Sequence, residues 1–380
     1  MGARRRGDLA RVPGGCRAGI RALFFLLDGE TNASSRHRVL QYFPLLRRHG
    51  IEPFASRPVP EPVYQRFVER GRGGGTDKAV FYGLFLACRA LDVLRAQRFD
   101  VVVIQRDLFP FGPPLLERTL ARRNPRLVYD TDDATYLRPA FTPNTPFQRL
   151  RRFDKVAEVV SRARWVSVAT EPIATWALQY NPSVSVLPMA VDLAEYDRVR
   201  RPPSASARLV LGWAGTAGGL AYVQSLAPVL RDIARRHPVE VRVISGGYRR
   251  VCLDGLDVQA RPWRAETALQ DMKAFDIGLV PLAATPFEQA KFPFKLLQYL
   301  ALGVPSVSSR VGVAADVIRH GHNGLLASSL DDWRESLDSL IADADLRRRL
   351  SAAGREAVAA GYTVERIGPR LAEGLAQAAS

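Results

Sequence analysis

The feature that most constrains this chain is a recurrence of short apolar runs, each followed by a longer segment with helical spacing. Ala22–Leu27 (ALFFLL), Val101–Gln105 (VVVIQ) and Leu127–Tyr129 (LVY) open the series, and Trp165–Ala169 and Val184–Leu187 continue it. After Arg200 the pattern restarts with Leu209–Trp213, Val239–Ser245, Ile277–Pro281 and Val304–Ser308. Strands of about five residues alternating with helices of about 10–15 predict βαβ units and parallel sheets. The runs end in Gly, Asp, Ser, Thr or Pro, as loops forming a ligand crevice at strand carboxyl ends would. Asp197–Arg208 (DRVRRPPSASAR) has the prolines, small polar residues and charge of a linker. The expected architecture is therefore α/β, with two doubly wound Rossmann-like domains whose parallel sheets face a central cleft. The first spans 1–197, the linker 198–208 and the second 209–360. A length of 380 residues suits two domains of roughly 100–200 each. Gly71–Thr76 (GRGGGT) reads as a loop ahead of an apolar helix from Ala79 to Leu94.

Composition narrows the function classes. The formal charge is +16. Residues 1–190 hold 30 Lys+Arg against 17 Asp+Glu, and residues 191–380 hold 24 against 21. The basicity therefore belongs to the first half, whose partners could be nucleic acid, anionic lipid or phosphorylated metabolites. Cys16, Cys88 and Cys252 are too few and scattered for a disulfide framework or a zinc site, which fits a reducing compartment. No apolar run reaches the ~18–20 residues of a membrane span, and Ala22–Leu27 is too short for a signal-peptide core of about 7–15. The expected location is cytoplasmic. Nucleic acid is disfavoured because no aromatic platform or recognition motif accompanies the arginines. P-loop, Gly-x-Ser-x-Gly, HExxH and CxxC patterns are missing, which disfavours NTPase, hydrolase and metalloprotease chemistry.

The second half carries the strongest chemical pattern, Lys291–Pro305 (KFPFKLLQYLALGVP). FPFK is a turn that opens a helix over Leu296–Leu302, with Gly303 stopping it. A helix N-terminus flanked by Lys291 and Lys295 suits a diphosphate, and Gln298 could bond a sugar hydroxyl. The competing reading is a buried amphipathic helix with two surface lysines. Leu211–Leu220 (LGWAGTAGGL) adds a glycine-bearing loop after a strand, where Gly215, Gly218 and Gly219 let backbone approach a phosphate and Thr216 offers a hydroxyl.

The 291–305 segment resembles the donor-site signature of glycosyltransferase family 4, retaining nucleotide-sugar enzymes of GT-B fold. Phe294–Tyr299 matches a Phe-Lys-x-Leu-Gln-Tyr variant of it. The usual signature has two glutamates separated by seven residues; here Ala290 and Gln298 occupy those positions, with Glu288 two residues early. Val186–Tyr196 (VLPMAVDLAEY) resembles the Pro-Asn-Gly-Val-Asp segment leading to the linker, with Met189 and Ala190 replacing Asn-Gly. The resemblance implies a donor site of Gly215, Thr216, Gly218, Gly219, Ser245, Gly246, Trp263, Lys291, Phe292, Phe294, Lys295 and Gln298. Trp263 would contact the nucleobase, although a packing role fits it as well. Many relatives carry an Arg and a Lys beyond the glycine loop to clamp the diphosphate; neither is present here, so Lys291 and Lys295 are the candidates to replace them. Gly361–Leu375 and the residues to 380 resemble the final helix that crosses back onto the first domain.

In the first half, Asp28–Arg38 (DGETNASSRHR) resembles the Ala-Ser-Ser-Arg-x-Arg opening of one family 4 subgroup. Ser34, Ser35, Arg36 and Arg38, with Arg106 from the next strand end, are candidates for an anionic acceptor, because guanidinium forks hold phosphate bidentately. The alternative is a helix start capped by Ser34 with solvated arginines. Tyr129–Tyr136 (YDTDDATY) places Asp130, Asp132 and Asp133 at a strand end. Burial and mutual repulsion would raise one pKa and make a proton acceptor. Helix capping by Asp132 or Asp133, or a divalent metal held by the aspartates, are the other readings; the GT-B layout disfavours the metal.

What the resemblance implies is transfer of a sugar from a nucleotide-sugar donor to a glycan or lipid-linked acceptor, with retention, in cell-surface or extracellular polysaccharide or glycoconjugate synthesis. No cofactor or metal is expected. Lys295 would stabilise the leaving diphosphate, and a leaving-phosphate oxygen would help deprotonate the acceptor. The basic first half would meet an anionic acceptor or the inner membrane surface through Arg122–Arg126 and Arg149–Arg152. The other reading is a degenerate protein of this fold that binds a nucleotide sugar or glycan without turnover.

Overall fold

The computed structural model describes residues 19–29, 32–69, 74–139, 149–203, 207–247, 251–253 and 255–380, without the side chains of 68 and 69. Cys16, the first half of the Gly71–Thr76 loop and linker residues 204–206 lie outside the described residues.

Two six-stranded sheets carry the fold. The first comprises β1 (Ile20–Phe25), β2 (Ile51–Ser56), β3 (Val101–Gln105), β4 (Leu127–Thr131), β5 (Trp165–Val168) and β6 (Val184–Val186). The second comprises β7 (Leu209–Gly215), β8 (Val239–Ser245), β9 (Val258–Pro262), β10 (Ile277–Val280), β11 (Ser306–Ser309) and β12 (Leu325–Ala327). All the pairings between these strands are parallel. Their orders are β2-β1-β3-β4-β5-β6 and β12-β11-β10-β7-β8-β9. β3 and β4 are buried at every residue, as strands covered by helices on both faces must be. Each order reverses once, between β1 and β3 and between β7 and β10. Ligands of doubly wound sheets bind beyond the strand carboxyl ends at such reversals.

The three strands that no apolar run announced, β2, β9 and β12, all lie at sheet edges. β2 alternates buried and exposed residues and tolerates Pro53 because an edge strand has an unpaired side. The helix expected over Ala79–Leu94 runs from Gly75 to Arg95. The helix expected at Leu296–Leu302 occupies Phe294–Ala301 and ends at Gly303, whose φ of +67° is the left-handed conformation that stops a helix. The last strand of the sequence series starts two residues late, at Ser306, because the Val304 amide still donates to the Tyr299 carbonyl and closes the preceding helix.

The final helix, Val364–Ala379, packs Val364, Ile367, Leu371 and Leu375 into the core formed by Ala22, Phe24, Leu45 and Trp165 of the first domain. Contacts also cross at the strand carboxyl ends. Thr170 Oγ1 donates to the Ala290 carbonyl at 2.8 Å, and the His37 and Phe294 rings lie 4.7 Å apart. Phe287 and Ala290 of the second domain join the apolar cluster of the first.

Candidate active site

Two charged clusters face the crevice, and they differ in how their charges are satisfied. The first lies at the ends of β1, β3 and β4. Arg38 Nε donates to both oxygens of Asp130 at 3.1 and 3.0 Å, and Nη2 adds a third bond at 2.9 Å. Arg38 also donates to Ser167 Oγ at 3.0 Å and to the Leu187 carbonyl. Next to it, Arg106 joins Asp132 and Asp133, each at 2.6 Å. Arg106 has a φ of 62°, a left-handed conformation uncommon outside glycine. That geometry turns the chain sharply after β3, where the Arg106 amide donates to the Asp130 carbonyl at 2.8 Å.

The three aspartates proposed for proton transfer are thus all paired with arginines. Burial pushes the Asp130 carboxyl above its ordinary range, against the downward pull of Arg38. Burial also opposes ionisation of Asp132, but Arg106 and Arg38 outweigh it and hold that carboxyl below the usual range. Neither Asp132 nor Asp133 caps a helix: Asp133 folds back on Thr131, with its amide 3.3 Å from Thr131 Oγ1. Ser34 does not cap one either. It lies inside the helical turn, and its hydroxyl donates to Asp132 at 3.1 Å while accepting from Gln105 Nε2 at 3.1 Å. Ser35 is buried, bonded to the Asp28 carbonyl at 3.2 Å. Among the described residues, no group of three or more His, Cys, Asp or Glu could hold a metal ion.

The second cluster lies across the cleft. Arg36, His37 and Ala33 from the first domain meet Trp263, Lys295 and Gln298 from the second around a cavity of about 10 Å³, room for about one water. The Arg36 guanidinium stands over the Trp263 ring, 5.8 Å from its centroid. Lys295 Nζ donates to Gln298 Oε1 at 3.1 Å, and Gln298 Nε2 donates to the Tyr196 hydroxyl at 3.1 Å. Burial, with Arg36 and Lys291 nearby, lowers the Lys295 ammonium to about 8. Burial and the same cationic field from Arg36 and Lys295 lower His37 to about 3, so its imidazole is neutral at pH 7. Lys291 stands 6.0 Å from the Phe287 ring centroid, and Phe292 is buried against Tyr362.

The glycine loop after β7 forms a turn at Ala217–Gly219. Gly215 is needed for packing, since a Cβ there would lie 2.3 Å from the Trp213 ring. At Gly218 the nearest atom to a Cβ is Thr216 Oγ1 at 3.9 Å, and at Gly246 nothing lies within 4 Å. Ser245 is buried and accepts from the Gly247 amide at 3.1 Å. Glu288 falls two residues short of the family spacing, and no motif in the sequence marks Tyr222 or His37. The Glu288 carboxylate is 1% exposed and accepts hydrogen bonds from Tyr222 and Thr285. Its neighbours Phe287 and Ala290 pack into the first domain's apolar cluster, which brings Glu288 to the cleft. Only the fold could show this pairing, because Tyr222 and Glu288 are 66 residues apart.

Two Rossmann-like domains with their ligand ends opposed define the GT-B class, and known proteins agree. Residues 210–343 match the family model described as Glycosyl transferases group 1. The D-inositol 3-phosphate glycosyltransferase of Stackebrandtia nassauensis is 36% identical over 73 residues, 19% of this chain and 16% of that protein. The N-acetyl-alpha-D-glucosaminyl L-malate synthase of Bacillus anthracis is 31% identical over 100 residues, 26% of each chain. The chain thus aligns with about a quarter or less of these relatives' lengths. The crystal structure of Anabaena HepE in complex with UDP and glucose superposes with a TM-score of 0.66 at 15% identity, covering 94% of this chain and all of that one. The family match thus spans about a third of the chain, and the solved structures share its two-domain fold.

Proposed function

We propose that this protein moves a sugar from a nucleotide-sugar donor to a hydroxyl of a glycan or lipid-linked acceptor, with retention of anomeric configuration, in cell-surface or extracellular polysaccharide or glycoconjugate synthesis. One observation carries the reading. Lys295 is half-buried in the first turn of the helix Phe294–Ala301, beside Lys291 and opposite the first domain, with no carboxylate among its described partners. A partly desolvated ammonium without a carboxylate partner at a helix N-terminus favours an anion, and a leaving diphosphate is the anion that glycosyl transfer produces. The Gly215–Gly219 loop, at the reversal of the second sheet, would hold the phosphates. Lys295 and Lys291 would take up charge as the glycosidic bond breaks, while a leaving-phosphate oxygen accepts the acceptor's proton. No enzyme nucleophile is then required, and no metal is invoked. HepE, crystallised with UDP and glucose, supports a nucleotide-sugar donor by analogy of fold.

The acceptor would enter from the first domain, near Arg106 and Asp133. Peripheral contact with an anionic inner membrane surface belongs to the same reading. Its support is the exposed apolar face of the helix Gly75–Arg95, where Val80 is 68% and Leu91 53% exposed, with exposed Arg122 and Arg123 on the neighbouring helix. Among the described residues no helix is long and apolar enough to cross a membrane.

A second reading, nucleotide-sugar binding without turnover, is favoured by the occupied polar atoms: both ends of the Gln298 amide are bonded, and the aspartates of the first domain are ion-paired. A thermal-shift screen of nucleotide sugars followed by assay for nucleotide release separates the two. Transfer or donor hydrolysis by the wild type, lost in Lys295→Ala, is the expected result. A stabilising donor that is never turned over with any acceptor would establish the binding protein instead.

A further inference from the structure

Most buried cations of this protein are matched by carboxylates: Arg38 by Asp130, Arg106 by Asp132 and Asp133, Lys155 by Glu117. Arg89, fully buried, is held instead by backbone carbonyls and Ser56. Arg36, Lys291 and Lys295 are half-buried and have no ion pair among the described residues; Arg36 and Lys295 line one cavity from the two domains, with Glu195 as its carboxylate and Lys291 close to Lys295. Arg36 Nε is buried without a hydrogen-bond partner, and so is Nε2 of its neighbour His37, which is 5% exposed. Buried polar groups are normally satisfied, and like charges brought together in a poorly solvated space repel. An arrangement that costs free energy in both ways fits a multiply charged anion that would satisfy it.

The second domain is short of cations for that task. The stretch Gly215–Ser225 (GTAGGLAYVQS) contains neither Lys nor Arg, so Lys291 and Lys295 are its contribution. Arg36 comes from the opposite domain and offers a planar fork that matches phosphate oxygens in pairs.

We propose that Arg36 acts in trans as part of the diphosphate clamp, closing on the donor's phosphates opposite Lys295. The proposal rests on the nucleotide-sugar reading above and moves Arg36 from the acceptor to the donor. A diphosphate does not fit the cavity of about 10 Å³ between these side chains, so binding separates the two cations and replaces their repulsion with two attractions. Because the clamp spans both domains, it is complete only when the cleft is closed. The same contact that holds the leaving group then also excludes water from it.

Isothermal titration of the full chain with UDP, GDP and ADP, each beside its monophosphate, tests the assignment. Arg36→Ala is expected to weaken the tightest diphosphate at least tenfold and its monophosphate less than threefold, and Arg36→Lys to recover part of the loss. Unfolding midpoints without ligand serve as the folding control. Diphosphate affinity within twofold of wild type in Arg36→Ala, beside a clear loss in Lys295→Ala, would overturn the clamp and leave the donor reading standing. Equal loss of mono- and diphosphate would reduce Arg36 to a base or packing contact. If the wild type binds none of the three diphosphates, the donor reading itself fails and the clamp with it.

Discussion

Arg38 and Asp130 form a buried pair in which the guanidinium engages both carboxylate oxygens, with side chains only 3% and 7% exposed. Through Ser167 and the Leu187 carbonyl the same guanidinium also ties β5 and the segment after β6 to the first strand's loop. The pair is a brace across the carboxyl ends of the first sheet, placed where a catalytic base would also be sought.

The two roles predict opposite mutant behaviour. Removing one partner of a buried pair leaves an uncompensated charge and costs about 3–5 kcal/mol. Arg38→Met should therefore lower stability by about that amount in urea unfolding, and Asp130→Asn should lower it too while the folded fraction keeps its turnover. An Asp130→Asn variant of wild-type stability with no turnover would make Asp130 the base.

The central strands were legible because burial on both faces favours continuous apolar residues, as VVVIQ displays, or at least a valine-rich alternation such as VEVRVIS. The edge strands β2, β9 and β12 were not, since half-covered or very short strands carry no such run. The site was legible to a similar degree. Lys295, Gln298 and Trp263 could be singled out from their motifs, and they do line one cavity. What local sequence could not reveal was which charges would be spent on each other. Arg36 and Arg38 are two residues apart on a tight helical turn, yet one is braced against Asp130 and the other faces Trp263 across the cleft. Register on that turn decides the difference.

Gly215 and Gly218 were both expected to serve phosphate approach, and the structure separates them. A Cβ on Gly215 would strike the Trp213 ring at 2.3 Å, so Gly215→Ala should cost about 1–3 kcal/mol as overpacking does. Gly218 has no such neighbour. Gly218→Ala should unfold at the wild-type midpoint and, if the loop holds the phosphates, weaken nucleotide binding in titration. A destabilised Gly218→Ala with unchanged affinity would reverse the assignment.

Lys295 sets a pH dependence of known sign. Burial, reinforced by Arg36 and Lys291, lowers its ammonium to about 8, against about 10.4 in an unfolded chain. Between those values the unfolded chain binds more protons, so this group makes stability rise with pH across about 8 to 10.4. Anion binding runs the other way, because it needs the charged form. Diphosphate affinity should fall above pH 8. Lys295→Arg stays charged and should flatten the curve; a wild-type profile already flat to pH 9.5 would show that Lys295 does not contact the anion.

The helix Gly75–Arg95 buries Phe81, Phe85, Arg89 and Val93 on one side. On the other it exposes Val80, Leu84, Leu91 and Leu94. We propose that this exposed apolar face is a contact surface; an interfacial helix places such a face in the headgroup region beside cations. Two of the arginines first considered for this contact are already engaged, Arg151 with Asp107 and Arg152 with Asp154. The electrostatic part therefore falls to Arg122 and Arg123, exposed at the end of the helix Leu115–Arg123. The protein should sediment with vesicles of phosphatidylglycerol more than with those of phosphatidylcholine, and less as salt rises. Arg122→Glu with Arg123→Glu should weaken the salt-sensitive part, and Leu84→Ser with Leu91→Ser the remainder, both without changing turnover of a soluble acceptor. If the wild type stays in the supernatant at low salt and scattering instead shows a dimer that Leu84→Ser with Leu91→Ser dissociates, the face binds a second copy of the chain and the membrane reading falls.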